Sequence, residues 1–313
     1  MVQAVRAKFT DTNDQVVDPF VKIPPEVITA LGKLVKGGVA IESRTNAARG
    51  VGVLRGGAAL PDLIDALRSK DDKLMYEALV AIQKIGDPSA APRISCLLRD
   101  LQESIQVTAL ETTGLLRNKE AEPQVRDALQ NARTVRVRRA ALGALAMLEA
   151  PVDRTIFQTY LQDKDDLVRA AAAEGLGRLK NPADKALVQQ AFTSERGMNP
   201  RLSAAFASVA MGELGTDRYG PLQYLINSLN QRAWRGVASA FLIELSRDPQ
   251  IRQAFYPLLA AGTKDEKIQM AIILARAGDR DSVSSLETLS KDTDPDVAAE
   301  GIRSLRNLRA RLP

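Results

Sequence analysis

Nine similar stretches of apolar and small residues follow one another along the chain. In most stretches, apolar or small residues lie 0, 4, 8 and 11 positions after a starting residue. On an α-helix these positions form one stripe, and the small residue at position 4, most often Ala, allows a neighbouring helix to approach closely. We call these elements the first helices. Their predicted starts are Ser43, Leu74, Ile105, Val137, Val168, Ser203, Trp234, Glu266 and Val297, with gaps of 31, 31, 32, 31, 35, 31, 32 and 31 residues.

A second amphipathic stretch follows each first helix after turn residues such as Gly86-Asp87-Pro88 or Asn181-Pro182. We call these elements the second helices. Their apolar anchors are pairs one turn apart: Leu63 with Leu67, Ile94 with Leu98, Val125 with Leu129, Phe157 with Leu161, and Val188 with Phe192. Short helices cannot bury their apolar faces alone and must stack on their neighbours. The pattern therefore predicts an all-α fold, an α-α superhelix of about nine two-helix repeats.

The same pattern predicts the domain organisation. We expect residues 43–313 to form one continuous solenoid domain and residues 1–42 to form an extended cap followed by one helix, at about residues 25–36. Residues 1–24 show no helical period, so they are either a native cap or the remnant of a truncated repeat. The gap of 35 residues predicts about four extra residues in a surface loop near residues 193–200.

One stretch resembles a known family. Asp165-Asp166-Leu167-Val168-Arg169, followed by Ala172-Ala173, Gly175-Leu176-Gly177 and Leu179, resembles the HEAT repeat of the short, phycobilin-lyase-like type. The resemblance extends over about residues 43–313 and implies an α-solenoid. The shared residues serve packing and capping, so they indicate fold rather than function. HEAT-like phycobilin lyases and alkylpurine DNA glycosylases stay open as relatives. The deoxyhypusine hydroxylases, which are also HEAT-like, bind iron through His-Glu motifs, and this chain has no histidine for such a motif.

Composition excludes several kinds of chemistry. The chain has no histidine and a single cysteine, Cys96, which excludes a histidine-bearing zinc site, a triad with a histidine base, a CxxC pair and an internal disulfide. Adjacent acidic pairs recur at one inter-repeat turn, which favours helix N-caps over catalysis: Asp71-Asp72, Asp165-Asp166 and Asp265-Glu266. We therefore assign no catalytic or metal-binding residue, expect no cofactor, and favour a protein that is not an enzyme.

Charge is distributed evenly along the chain. Lys and Arg number 43 against 38 Asp and Glu, a net charge of +5. A basic row follows the starts at Arg44, Arg138, Arg169, Arg235 and Lys267. We interpret it as a structural ladder to the acidic turns of neighbouring repeats rather than a phosphate track. The densest positive cluster is a candidate anion patch: Arg133, Arg136, Arg138 and Arg139.

No apolar segment is long enough to span a membrane, and the residues after Met1 lack the apolar core of a secretory signal. A soluble protein is expected, either cytoplasmic or exported after removal of a signal that this chain does not carry.

The resemblance implies that the second helices line the concave face of the solenoid. We call the residues midway between their anchors the outward row: Asp65, Cys96, Asp127, Thr159 and Gln190. Cys96 points away from Ile94 and Leu98 at about 100° per residue, so it should be accessible. Other candidate binding residues of this face are Gln158, Tyr224, Asn227 and Tyr256.

Amides suit the backbone of an extended peptide, because each offers a donor and an acceptor. Strong nucleic-acid binding is not expected, because the face has few cations. We predict a noncatalytic scaffold that recognises a protein or peptide. The alternatives are an accessory or lyase protein of the phycobilin-lyase-like class, and a weak nucleic-acid binder.

Overall fold

The structure is a computed structural model that describes residues 23–215, 217 and 219–312. These residues form helices, turns and loops and contain no strand, which confirms the predicted all-α fold. They divide into two compact units, one ending at Leu179 and the other beginning at Lys180. One continuous domain over residues 43–313 stays a prediction. Most of the predicted extended cap, residues 1–22, lies outside the described residues.

The first unit consists of helical pairs that alternate along the chain. Its first helices are α2, α4, α6, α8 and α10, and each is joined to the following second helix through a short 3-10 turn. Its helices are α1 (Pro25–Gly37), α2 (Ile41–Val53), α3 (Leu60–Ala66), α4 (Asp72–Ile85), α5 (Ala91–Ile94), α6 (Glu103–Leu115), α7 (Glu122–Gln130), α8 (Val135–Leu148), α9 (Arg154–Tyr160) and α10 (Asp166–Leu179).

The second unit continues the alternation from a second helix. Its first helices are α12, α14, α16 and α18. Its helices are α11 (Lys185–Ser194), α12 (Met198–Ala210), α13 (Pro221–Asn227), α14 (Arg235–Leu245), α15 (Pro249–Ala261), α16 (Lys264–Ala277), α17 (Ser282–Leu289) and α18 (Pro295–Arg311).

Within each unit the first helices pack against one another through small residues. A Cβ added at Gly52 would lie 2.8 Å from the Cα of Ala81 on α4, and one added at Gly114 would lie 2.8 Å from the Cα of Ala144 on α8. The predicted small positions are buried, as at Ala78 and the equivalent alanines of other repeats. Small residues at fixed positions thus let successive first helices approach closely.

A buried amide links two first helices of the first unit. Gln83 on α4 is completely buried, and its Nε2 donates to the hydroxyl of Thr112 at 2.8 Å and to the carbonyl oxygen of Thr108 at 3.3 Å. Both acceptors lie on α6. Because an unpaired buried amide is costly, this contact specifies which helix can follow α4.

The first helices of the first unit end in a repeated conformation. The residue 12 positions after each predicted start has a positive φ: Arg55 (50°), Gly86 (72°), Arg117 (52°), Glu149 (57°) and Lys180 (49°). This left-handed conformation closes the helix and is easiest for glycine. Only the second repeat has a glycine there. The recurrence confirms the repeat period independently of the apolar stripe.

The same conformation corrects the predicted register of the sixth repeat. Gly212, with a φ of 90°, occupies the left-handed position after α12, which places the repeat start at Pro200 rather than Ser203. The loop predicted near residues 193–200 is wrong, because α11 extends to Ser194 and α12 already begins at Met198. The additional residues lie between α12 and α13. Nine of the 13 residues of α12 are buried, including all of residues 202–209, so burial does not mark a single stripe there.

Candidate functional site

The outward row lies on the second helices, as the register predicted. Asp65 is exposed on α3, Cys96 on the 3-10 turn after α5, Thr159 on α9 and Gln190 on α11, while Asp127 on α7 is half-buried. The exposure of Cys96 confirms that this position points away from the anchors Ile94 and Leu98, which are completely buried. In the first unit, the row therefore lies on the outward side of successive second helices, and in the second unit Gln190 lies on the outward side of α11.

Two carboxylates of the row link neighbouring repeats. Asp65 Oδ2 lies 3.5 Å from Lys36 Nζ on α1, and Asp127 Oδ2 accepts from Arg99 Nε at 3.1 Å. Lys36, Asp65 and Arg99 are exposed and Asp127 is partly exposed, and such surface pairs contribute little to stability. Their main effect is to neutralise the negative charge of this surface.

A pocket of about 360 Å³ opens beside Asp127 in the first unit. It lies where the second helices of two successive repeats turn into the next first helix. Its lining is polar apart from one alanine and carries two arginines and two aspartates: Arg99, Asp100, Gln106, Asp127, Ala128, Asn131 and Arg133. Since the charges balance, the pocket favours a ligand with both donors and acceptors over a polyanion.

The fold uses the nitrogen atoms of the two pocket amides. Gln106 Nε2 donates to the carbonyl oxygen of Leu98 at 2.9 Å, and Asn131 Nδ2 donates to Asp127 Oδ1 and to its carbonyl oxygen, both at 3.0 Å. The amide oxygens therefore stay available as acceptors, and Arg133 adds an exposed cation. The pocket can pair with the N–H groups and the carbonyl oxygens of an extended peptide.

The four arginines of the candidate anion patch have different surroundings. Arg136 Nη1 pairs with Glu103 Oε1 at 2.8 Å, and Arg139 pairs with Asp165. The hydrogen bond from Arg139 is the largest cause of the lowered pKa of Asp165. Arg133 lines the pocket, and Arg138 is half-buried at the start of α8. Anion binding stays a prediction, and two of the four charges are already balanced.

The basic row has the predicted ion pair to a neighbouring acidic turn at two of its five members, Arg235 and Lys267. Three arginines donate to a carbonyl oxygen at the end of the preceding second helix: Arg44 to Val35 at 2.8 Å, Arg169 to Asp163 at 2.8 Å, and Arg235 to Leu229 at 2.7 Å. Arg235 also pairs with Asp265 of the next repeat at 2.7 Å, and Lys267 pairs with Asp292 at 2.9 Å. The basic row therefore serves structural contacts at four of its five positions, and among the described residues Arg138 is the exception.

The acidic turns cap helices, with one correction. Asp71 Oδ1 accepts from the amide of Leu74 at 2.9 Å, and Asp165 Oδ1 accepts from that of Val168 at 3.0 Å. In the third pair the cap is Thr263, whose hydroxyl accepts from the amide of Glu266 while the Glu266 carboxylate accepts from the amide of Thr263. Asp265 serves the ladder instead.

The two candidate tyrosines of the second unit are half-buried and make hydrogen bonds. The Tyr224 hydroxyl donates to Met198 Sδ at 3.3 Å, and its ring meets Phe192 edge to face with 5.5 Å between centroids. Burial raises the pKa of Tyr224. The hydroxyls of Tyr256 and Ser282 are 2.9 Å apart. Both rings are thus fixed by the fold.

The amides of the candidate face differ in exposure. Asn227 is exposed and its Oδ1 accepts from Gln223 Nε2 at 2.8 Å, whereas Gln158 is half-buried.

Sequence reasoning missed Arg201, because the sixth repeat was started at Ser203. With the start at Pro200, Arg201 becomes the member of the basic row in this repeat. Its guanidinium lies over the Tyr224 ring, with Cζ 4.7 Å from the centroid, and 5.4 Å from the centroid of Phe192. The signal that could have found it is Gly212, a glycine at the position of a left-handed cap.

Two findings limit the chemistry of the described residues. They contain no cluster of three or more histidine, cysteine, aspartate or glutamate side chains suited to a metal ion. Among them, too, no helix combines the length and apolar character needed to cross a membrane.

Comparison with known proteins gives a family match and a fold. Residues 154–181 match the HEAT repeat family. A structure of the complex of CpcE and CpcF of phycocyanin lyase from Nostoc sp. PCC7120 is 19% identical, with a TM-score of 0.51, covering 93% of this chain and 97% of that chain. At this identity the likeness shows the fold alone. No curated protein matches the chain.

Two further structures are similar at lower TM-scores. An engineered protein is 19% identical with a TM-score of 0.43, covering 98% of both chains. Human deoxyhypusine hydroxylase in complex with glycerol is 15% identical with a TM-score of 0.37, covering 92% of this chain and 97% of that chain.

The class of protein follows from the fold and the family match together. Residues 154–181, which contain α9 and α10, match the HEAT repeat family. The helical pairs on either side repeat the same architecture, so the fold is a HEAT-like α-solenoid, an architecture often used for protein interaction.

Proposed function

We propose that the protein is a noncatalytic scaffold that recognises a protein or an extended peptide through the surface of its second helices, which we take as the concave face. The observation that carries the proposal is the pocket beside Asp127. Its available amide oxygens and guanidinium groups match the alternating donors and acceptors of a peptide backbone. Gln190, the one amide of the outward row, is exposed on α11 and offers the same chemistry in the second unit.

Cys96 allows a direct test, because it is the only cysteine and it is exposed on this surface. Labelled with a benzophenone maleimide, it should cross-link a partner from an extract of the source cells on irradiation. The matched control carries Cys96→Ser with Asn46→Cys, which moves the label to an exposed position on the first helix α2. A partner linked equally from both positions, or from neither, would contradict the proposal.

The pocket should supply part of the affinity. We expect Asn131→Ala combined with Arg133→Ala to weaken binding of the cross-linked partner by about tenfold or more, since each removes a hydrogen-bonding group worth roughly 0.5–1.5 kcal/mol. Both residues are exposed, so the fold should be kept, as checked by circular dichroism. Unchanged affinity would place the partner elsewhere.

Two alternatives have distinct signatures. An accessory or lyase protein of the phycobilin-lyase-like class, suggested by the CpcE and CpcF likeness, would bind an open-chain tetrapyrrole, detected by a change in its visible absorbance. A weak nucleic-acid binder would show an affinity that falls steeply with salt concentration. Either result without a peptide partner would replace the proposed function.

A further inference from the structure

Arg201 occupies a ladder position without the ladder contacts. In the next repeat Arg235 donates Nε to the Leu229 carbonyl and pairs Nη2 with Asp265. Arg201 pairs with no acidic group among the described residues, and its buried Nε atom has no hydrogen-bond partner there. Its guanidinium lies on two aromatic rings instead.

The sequence explains the missing acid. Asp265 is the residue before the start of the eighth repeat, and the equivalent residue before the start of the seventh is Ala233, which is exposed. Between residues 196 and 212 the chain has no acidic residue, whereas Arg196 adds an exposed cation on the same turn. Glu195 and Glu213 border this stretch, and Glu213 pairs with Lys185. Among the described residues, the charge of Arg201 is therefore not balanced by an ion pair.

The aromatic rings fix the orientation of the cation. Tyr224 is tied to Met198 through its hydroxyl, and Phe192 is almost completely buried. A guanidinium lying on fixed rings loses little freedom when it binds, and its two terminal nitrogens match both oxygens of a carboxylate. Exposed amides lie on the same second helices, at Gln190 on α11 and Asn227 on α13.

We propose that Arg201, on its platform of Phe192 and Tyr224, binds the carboxylate of an acidic residue in an extended peptide partner. The inference rests on the proposed function and gives its partner a chemical class. The ligand carboxylate replaces the acid that Asp265 supplies to Arg235. The amides on α11 and α13 pair with the peptide backbone on either side of the acidic residue.

A titration of the full-length chain tests the site without knowledge of the natural partner. The probes are the peptides Ac-Gly-Glu-Gly-NH2 and Ac-Gly-Gln-Gly-NH2, followed by NMR at the Nε–Hε signal of Arg201, which burial protects from exchange. We expect the Glu peptide to shift this signal with an affinity at least about tenfold higher than that of the Gln peptide. Equal effects of the two peptides would overturn the proposal without needing any variant.

Two variants sharpen the test. Ala233→Asp supplies an internal acid, so it should reduce binding of the Glu peptide about tenfold or more, whereas Arg247→Gln, elsewhere in the second unit, should leave it unchanged. Full binding by the Ala233→Asp variant would contradict the site. A shift produced by inorganic phosphate at tenfold lower concentration than by the Glu peptide would also overturn it, in favour of a phosphate ligand.

The test separates this inference from the proposed function. If Cys96 cross-links a partner on the second helices while the Glu peptide fails to shift Arg201, only the acidic-peptide inference fails. If Cys96 links no partner but the Glu peptide binds, the site stands without the wider proposal.

Discussion

Arg117 and Glu149 form an ion pair between the ends of two successive first helices. Nη1 of Arg117 lies 2.7 Å from Oε1 of Glu149, and both residues have the left-handed conformation that closes α6 and α8. Two positions whose left-handed backbone conformation is strained for any residue with a side chain thus supply an ion pair between repeats. Their side chains are partly exposed, so the pair contributes about 0.2–1 kcal/mol at most.

Lys180 occupies the same left-handed position after α10, and no ion pair of its own is observed among the described residues. Lys180→Gly should stabilise the chain by about 0.5–1 kcal/mol, because a side chain in this conformation is strained. Arg117→Gly should raise the free energy of unfolding by less than Lys180→Gly does, because it also removes the ion pair with Glu149. The midpoints of urea unfolding measure both changes in stability, provided that the m value is the same as in the unmodified chain. A lower midpoint for Lys180→Gly would contradict the strain argument.

Gly114→Ala should destabilise the first unit by about 1–3 kcal/mol, because the new Cβ would lie 2.8 Å from the Cα of Ala144. Gly236→Ala is the matched control. Its Cβ would meet nothing within 4 Å in α14, so it should raise stability by up to about 1 kcal/mol through helix propensity. Thermal unfolding of the two variants compares them, and similar effects would mean that close packing of first helices is unimportant.

Asp153 should make stability depend on pH. Its side chain is completely buried, and burial first, then the charge of Glu122, raises its pKa to about 6, against the opposing effect of Arg126. Between pH 4 and 6 the folded chain therefore keeps a proton that the unfolded chain releases. The free energy of unfolding should fall as pH rises through this window, by at most about 3 kcal/mol.

Asp153→Asn should flatten this slope, and Glu122→Gln should move it to lower pH by removing the neighbouring negative charge. Urea unfolding at pH 4.5, 5.5, 6.5 and 7.5 gives the free energy of unfolding of each variant and of the unmodified chain. The difference between the two isolates Asp153, because the contributions of the other acidic groups cancel. An unchanged slope in both variants would show that Asp153 ionises normally.

Cys96 should react with a thiol reagent in the native protein, with one equivalent modified before any denaturant is added. Its side chain is exposed, and its only described contact is a weak one from Sγ to the Arg93 carbonyl at 3.6 Å. Cys96→Ser should change stability by less than about 0.5 kcal/mol. Reaction only after unfolding would contradict the exposed register of the outward row.

The helical pairs could be predicted from sequence because each depends on a local stripe. Leu74 and Ala78 are completely buried, as the stripe requires, and Cys96 is exposed because it lies opposite Ile94 and Leu98. In α12 the eight residues from 202 to 209 are all buried, so no single apolar stripe stands out there. Any start one turn away fits equally well, and the true register appears only in the backbone conformation of Gly212.

The candidate site could be predicted only in part. The exposure of Asp65 and Gln190 follows from helical register, but the pocket depends on how residues 99–100 and 127–133 meet across two repeats. Such a contact has no sequence signal of its own. The stacking of Arg201 on Tyr224 could not be predicted for a different reason. It depends on the register of the sixth repeat, which the sequence pattern placed at Ser203 instead of Pro200.

Gln83 makes the second and third repeats a matched pair. Its Nε2 donates to the backbone carbonyl oxygen of residue 108 and to the hydroxyl of Thr112, and the second acceptor exists only because α6 carries a threonine at position 112. If the repeats were exchanged, as engineers do with consensus arrays, α4 would face a helix without this threonine. Loss of the hydrogen bond to the Thr112 hydroxyl would then cost about 0.5–1.5 kcal/mol. The array is therefore not modular at this junction, and the order of its second and third repeats is part of what the sequence encodes.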